Sequence, residues 1–96
     1  MRVRYSRQAK QDLADINAYL TPRNRAAAKR VREALQRSIR HIAMFTQIGR
    51  MQDEGVRKIV EPKFSYLIYY SIDEVTNVVN VVTIQHPKRD RPYTDK

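Results

Sequence analysis

Two stripes of apolar residues at helical spacing, Ala9-Leu13-Ile16-Leu20 and Ala28-Val31-Leu35-Ile39-Ile42-Phe45, flank the breaker Thr21-Pro22-Arg23-Asn24. Steps of three and four return a side chain to the same side of a helix, so each stripe predicts one amphipathic helix. Ser6 stands where the first begins, its hydroxyl placed to accept from a free amide of the first turn. Lys10, Gln11, Asp12 and Asp15 fill that helix's other faces. Pro22 ends it, because the ring removes the helical hydrogen bond. Asn24 or a neighbour caps the second helix, which runs to about Phe45. A connection of four residues makes the pair an antiparallel hairpin. With one apolar side per helix, the hairpin must cover something else.

The rest of the chain offers a sheet. Arg2-Val3-Arg4-Tyr5 alternates and reads as a short strand with Val3 and Tyr5 inward. Gly49 breaks the chain after the second helix. Val56–Val60, Tyr66–Ile72 and Val78–Ile84 are then rich in β-branched and aromatic residues, as strands are. Lys63 and Ser65 punctuate the first pair, and the five residues from Asp73 to Asn77 form a hairpin loop between the second pair. The last run is apolar at nearly every position, as a central strand would be. The expected fold is α+β: an N-terminal strand, an antiparallel two-helix hairpin and a three-stranded antiparallel run completing one mostly antiparallel sheet. Ninety-six residues form a single domain, 1–96, which buries roughly 60–70% of its unfolded surface. Residues 87–96 are a polar tail broken by Pro87 and Pro92.

Composition removes several kinds of chemistry. There are no cysteines, so disulfides, thiolate metal sites and cysteine nucleophiles are excluded. His41 and His86 are the two histidines and lie 45 positions apart, a poor beginning for zinc. No metal and no cofactor is expected. No apolar run approaches the roughly 20 residues of a membrane span, and Met-Arg-Val-Arg-Tyr is no secretion signal. A cytoplasmic protein without a membrane partner is expected. Charge is more telling. Residues 1–50 hold 12 Lys/Arg against 3 Asp/Glu, and residues 51–96 hold 7 against 7, so the whole excess of +9 lies in the first half. Such a field favours nucleic acid or an acidic protein partner.

With only Gly49 and Gly55, a glycine-rich phosphate cradle is not expected. What remains is a set of basic and aromatic residues on or beside the strands: Arg50, Arg57, Lys58, Lys63, Tyr66, Tyr69, Tyr70, His86, Lys88, Arg89 and Tyr93. A metal-free ribonuclease needs a base for the 2′-hydroxyl, an acid for the leaving oxygen and cations around the phosphate, and these residue types supply them. The aromatics serve either as packing or as platforms for bases. His41, beside the Ile39/Ile42 stripe, reads as structural. His86, at a strand end before Lys88, Arg89 and Arg91, reads as structural or functional alike.

The order of elements and several short patterns resemble the ParE/RelE toxin superfamily. Tyr5-Ser6-x-x-Ala9-x-x-Asp12-Leu13-x-x-Ile16-x-x-Tyr19 is similar to the opening of ParE-type and plasmid-stabilisation proteins. Asn24-Arg25-Ala26-Ala27-Ala28, Gly49-Arg50, Val56-Arg57-Lys58-Ile59, Tyr66-Leu67-Ile68-Tyr69-Tyr70 and His86-x-x-Arg89-Asp90 follow in the family's order, over about residues 2 to 91. The resemblance implies the toxin of a type II toxin–antitoxin system. Its partner would be a cognate antitoxin of the ParD kind, with an acidic toxin-wrapping segment, and operator DNA would be met only through that antitoxin.

Two branches of the superfamily imply different targets. RelE-like members are ribosome-dependent messenger RNA endonucleases, with an arginine before the Leu/Ile-Tyr pair of the core strand and a closing tyrosine or His-Tyr pair. Here those positions hold Tyr66 and Pro87. ParE-like members poison DNA gyrase. The chain is thus closer to the ParE branch, with Lys88, Arg89, Arg91 and Tyr93 as candidates for engaging the target and Arg30, Arg37 and Arg40 for the antitoxin. In the interferase alternative, Arg57, His86 and Arg89 would form the catalytic group. A third reading is a basic accessory protein that binds nucleic acid without toxicity.

Overall fold

The computed structural model describes residues 1–88. In chain order the elements are β1 (Arg2–Tyr5), α1 (Arg7–Leu20), α2 (Arg25–Met44), β2 (Arg50–Asp53), β3 (Val56–Val60), β4 (Leu67–Asp73) and β5 (Val78–Gln85). The strands form one sheet in the order β1-β5-β4-β3-β2. β1 runs parallel to β5, and every other pair is antiparallel. The expected α+β arrangement is therefore present, with one strand more than the sequence reading gave.

Both helices start as expected. Ser6 accepts from the amide of Ala9 at 2.9 Å, and Asn24 accepts from that of Ala27 at 3.0 Å. The hairpin lies on one face of the sheet. Val31, Leu35, Ile39 and Ile42 of α2 and Ala9 of α1 share a core with Ile68, Tyr70, Val79, Val81 and Ile84, while Val3, Tyr5, Leu13, Ile16 and Ile59 pack against it. Each fully buried large apolar side chain contributes about 1.5–3 kcal/mol relative to exposure, so this layer dominates the stability. No helix among the described residues is long and apolar enough to cross a membrane.

Four details differ from the sequence expectations. The extra strand, β2, carries little β-branched or aromatic character. A turn creates it: Glu54 and Gly55 have φ of 46° and 81°, the pair of left-handed residues that suits a two-residue hairpin. Phe45 does not complete the α2 stripe. The helix stops at Met44, and Phe45 is 51% exposed with its ring against His41.

Asp12, placed on an outer face by periodicity, is only 1% exposed. The pairing of β1 with β5 ends at Tyr5↔Val81, where the chain turns into α1. The next backbone groups on that edge of β5 then lack a strand partner. Ser6 donates its hydroxyl to the carbonyl of Val82 at 2.6 Å, and Asp12 accepts from the amide of Ile84 at 3.0 Å and from the hydroxyl of Thr83. The carboxylate stands in for a missing strand, which is why a charged residue is buried here.

The β4–β5 connection is Glu74 to Asn77, because Asp73 belongs to β4. Asp73 accepts from the amides of Val75 and Thr76, and Asn77 turns the chain with φ 60°. Amide donation, chiefly from Thr76, lowers the Asp73 pKa.

Candidate functional site

Three features of the surface bear on function. The first is a groove of about 200 Å³ along the seam of the hairpin, walled by Leu13, Ile16, Val31, Leu35 and Ile39, with Arg32, Gln36 and Asn17 also lining it. Its walls are the inner flanks of the two predicted stripes, so the sequence pattern that makes the core also makes the groove.

The second feature is two basic strips on α2. Arg30, Arg37 and Arg40 are all exposed on α2, as expected. Glu33 falls between Arg30 and Arg37 at spacings of three and four residues, where helical neighbours meet, and it dilutes that strip. A second strip was not singled out from the sequence: Arg25, Lys29 and Arg32, at steps of four and three, line a shallow groove with Asn17 and Thr21 of α1. Arg32 donates to the Asn17 side chain at 3.2 Å. The spacing alone could have revealed this strip, since the three cations occupy one face with no acid among them.

The third feature is a cleft of about 360 Å³ where the last turns of α1 meet the end of β5. Asp15, Ile16, Tyr19, Tyr66, Ile84, His86 and Lys88 line it. His86 meets Tyr66 edge to face, with ring centroids 5.4 Å apart and planes at 88°. Its Nδ1 accepts from the backbone amide of Lys88 at 3.1 Å, so the neutral ring carries its proton on Nε2. Tyr66, at the position where the nucleases carry an arginine, is buried. Tyr69 and Tyr70 of β4 are buried as well, and Tyr66, read from the sequence as the first residue of that strand, stands just before it.

Of the residues named for an interferase, Arg57 and His86 are not brought together. Arg57 donates to the carbonyls of Gly49 and Gln47 at 2.8 and 3.3 Å, bracing the loop between α2 and β2. It pairs with Tyr70 on β4, whereas His86 sits against Tyr66, four residues back along the same stretch, roughly 13 Å at strand rise. Arg89 lies outside the described residues, as do Arg91 and Tyr93. Arg50 is exposed on β2, Lys58 is half-buried on β3 and Lys63 is exposed in the β3–β4 turn. His41 is exposed on α2 against Phe45 and is no part of the core.

Comparison with known proteins gives a consistent answer. No curated protein sequence matches the chain. Two solved structures share the fold: a chain of the intact E. coli RelBE toxin–antitoxin complex, with TM-score 0.69 at 16% identity over 92% of this chain and 98% of that one, and a chain of the chromosomal ParDE system from P. aeruginosa, with TM-score 0.64 at 16% identity over 90% and 95%. The family described as ParE toxin of the type II toxin–antitoxin system parDE matches residues 3–91. The chain therefore belongs to the ParE toxin family of type II toxin–antitoxin systems.

Proposed function

We propose that this toxin acts in the cytoplasm by binding and poisoning DNA gyrase, and that a cognate antitoxin neutralises it by lying along the helical hairpin. The observation that carries the target half is the placement of Arg57. A phosphate-stabilising cation has to be oriented toward the substrate, and this guanidinium turns one terminal nitrogen to two loop carbonyls while a buried tyrosine occupies the other expected cationic position. That favours action by binding over cleavage. Lys88, Arg89, Arg91 and Tyr93 then supply a basic, aromatic segment of the kind that anchors macromolecular contacts.

The antitoxin half rests on the apolar groove and the basic strips of α2. An amphipathic acidic segment would bury its apolar side between α1 and α2 and set its carboxylates against Arg25, Lys29 and Arg32, with Arg30, Arg37 and Arg40 further round the exposed side of α2. The E. coli and P. aeruginosa chains of the same fold were both solved as parts of toxin–antitoxin systems.

Purified toxin is tested in a gyrase supercoiling assay and, separately, in a translation extract probed for cleaved messages. Inhibition of supercoiling with intact messages is expected, and it should be lost when Lys88, Arg91 and Tyr93 are replaced by alanine. Message cleavage with unaffected gyrase would establish the interferase reading, which the presence of His86, Asp15 and Lys88 in one cleft keeps chemically reasonable.

A further inference from the structure

We propose that the cleft between α1 and the end of β5 binds a single unpaired guanine nucleotide, with Tyr19 as the stacking platform and Asp15 as the group that selects the base. This goes beyond the identity of the toxin's target.

Tyr19 is 60% exposed, so its ring is open to a partner. It is also held still. The Arg23 guanidinium lies 3.8 Å from the ring centroid on one face, and the same side chain donates to the Tyr19 carbonyl at 2.7 Å. Tyr19 also lines the cleft. An aromatic ring backed by a guanidinium and fixed in place is the arrangement on which proteins stack single bases. At about 360 Å³ the cleft falls within the ordinary range for small-ligand sites, roughly 300–1,000 Å³.

The polar groups of the cleft then choose among bases. Asp15 lies four residues before Tyr19, hence one turn along the same face of α1. Its Oδ1 accepts from Gln11 at 2.8 Å, and the carboxylate has further acceptor capacity. An ionised carboxylate only accepts. On the pairing edge of guanine, N1–H and the N2 amine are two adjacent donors that a carboxylate matches. Adenine and cytosine place a ring acceptor beside their single amine, which the same carboxylate repels. His86 completes the contrast, because its Nδ1 is taken by Lys88 and its remaining hydrogen-bonding group is the Nε2 donor. A donor suits O6 and N7 of guanine and conflicts with the N6 amine of adenine. The Lys88 ammonium supplies charge for the adjoining phosphate. An acidic peptide is the poorer occupant, since Asp15 would repel it.

The test uses the full chain, freed from its antitoxin, with end-labelled pentanucleotides in fluorescence anisotropy at about 150 mM salt, near physiological ionic strength. The probes are UUGUU and UUAUU as RNA, and TTGTT and TTATT as DNA. The guanine probes should bind on the order of tenfold more tightly than the adenine probes, as one well-matched hydrogen-bonding edge discriminates. Tyr19→Ala should weaken guanine binding on the order of tenfold, while Tyr19→Phe retains it. Asp15→Ala should equalise the two bases. Both positions are exposed, so the variants should fold, which a thermal melt checks. Guanine preference in the RNA arm alone would identify the 2′-hydroxyl as part of the ligand, and preference in both arms a nucleotide of either kind. Equal binding of all four probes, or binding indifferent to Tyr19→Ala, would reduce the interaction to the general attraction of a +9 chain for phosphates and overturn the proposal. So would displacement of no probe by excess GMP.

Discussion

The phenolic oxygen of Tyr70 lies 2.8 Å from the amide nitrogen of Gly49 and accepts its proton, while donating its own to the carbonyl of Thr46 at 2.8 Å. One hydroxyl on the central part of β4 thus ties down both ends of the turn that leads from α2 to β2. The approach is so close that a Cβ at position 49 would come within 2.6 Å of that oxygen, which is why the breaker there is glycine.

Tyr70→Phe should therefore destabilise the protein by about 1–3 kcal/mol, since it strands a buried amide while leaving the ring in place. Gly49→Ala should cost a similar amount, about 1–3 kcal/mol, by forcing the ring or the loop aside. Because both act on one contact, the double variant should lose less than the total of the singles. Urea unfolding of the four proteins measures this, and full additivity would show that the two sites are independent.

Asp12 invites a graded series. Asp12→Ala removes the acceptor for the Ile84 amide and the Thr83 hydroxyl and should cost at least about 1.5–3 kcal/mol, the usual range for a hydrogen bond to a charged group. Asp12→Asn keeps one carbonyl oxygen and should cost less. Hydrogen exchange at Ile84 gives the local readout: its amide should lose protection in the alanine variant before those of Val79 and Val81 do.

Alkaline solution should loosen the fold from about the unfolded tyrosine value upward. Burial raises the pKa of Tyr5 and Tyr70 above 10.0, so the folded state holds these protons when the unfolded chain has begun to release them. The stabilisation is whole below pH 10.0 and drains away as pH climbs toward the folded values. Asp73 behaves oppositely: its lowered pKa contributes at neutral pH and is lost as pH falls below 3.8 toward the folded value. Melts at several pH values on each side should show both declines, and Asp73→Asn should flatten the acid one.

The two basic strips should not be equivalent toward an acidic antitoxin segment. Replacing Arg25, Lys29 and Arg32 with glutamine should slow association and flatten its salt dependence more than replacing Arg30, Arg37 and Arg40, where Glu33 already offsets the field. Stopped-flow mixing at two ionic strengths distinguishes them, and equal on-rates for both triple variants would show that the strip beside α1 has no special part.

The helices, their caps and three of the later strands were readable because each rests on a local rule: periodicity for the stripes, Ser6 and Asn24 for the starts, Pro22 and Gly49 for the breaks. What escaped was set by distant neighbours or by a turn. Nothing near Asp12 in sequence announces that β1 will stop at Tyr5↔Val81, short of Thr83 and Ile84. β2 follows from the left-handed pair Glu54-Gly55, a short signal beside Arg50-Met51-Gln52-Asp53, which has no β-branched or aromatic residue to mark a strand. The candidate site was legible as a set of residue types. Its geometry was not, since Arg57 and His86 each fit a nuclease on paper until the register set them apart along β4.

The parallel pairing of β1 with β5 joins Arg2 to Val78, so the strand made first has no partner until the chain is almost finished. At a synthesis rate of about 5–20 residues per second, some 4–15 s pass between the emergence of one strand and the other. Until that interval ends the helical hairpin and β2 to β4 lack β5, the strand that joins them to β1, and such long-range closure is the slow part of folding. A growing chain therefore lacks its closed sheet until β5, the last strand, has been made. Chains stalled before residue 78 should remain open to protease, and those released at full length should not.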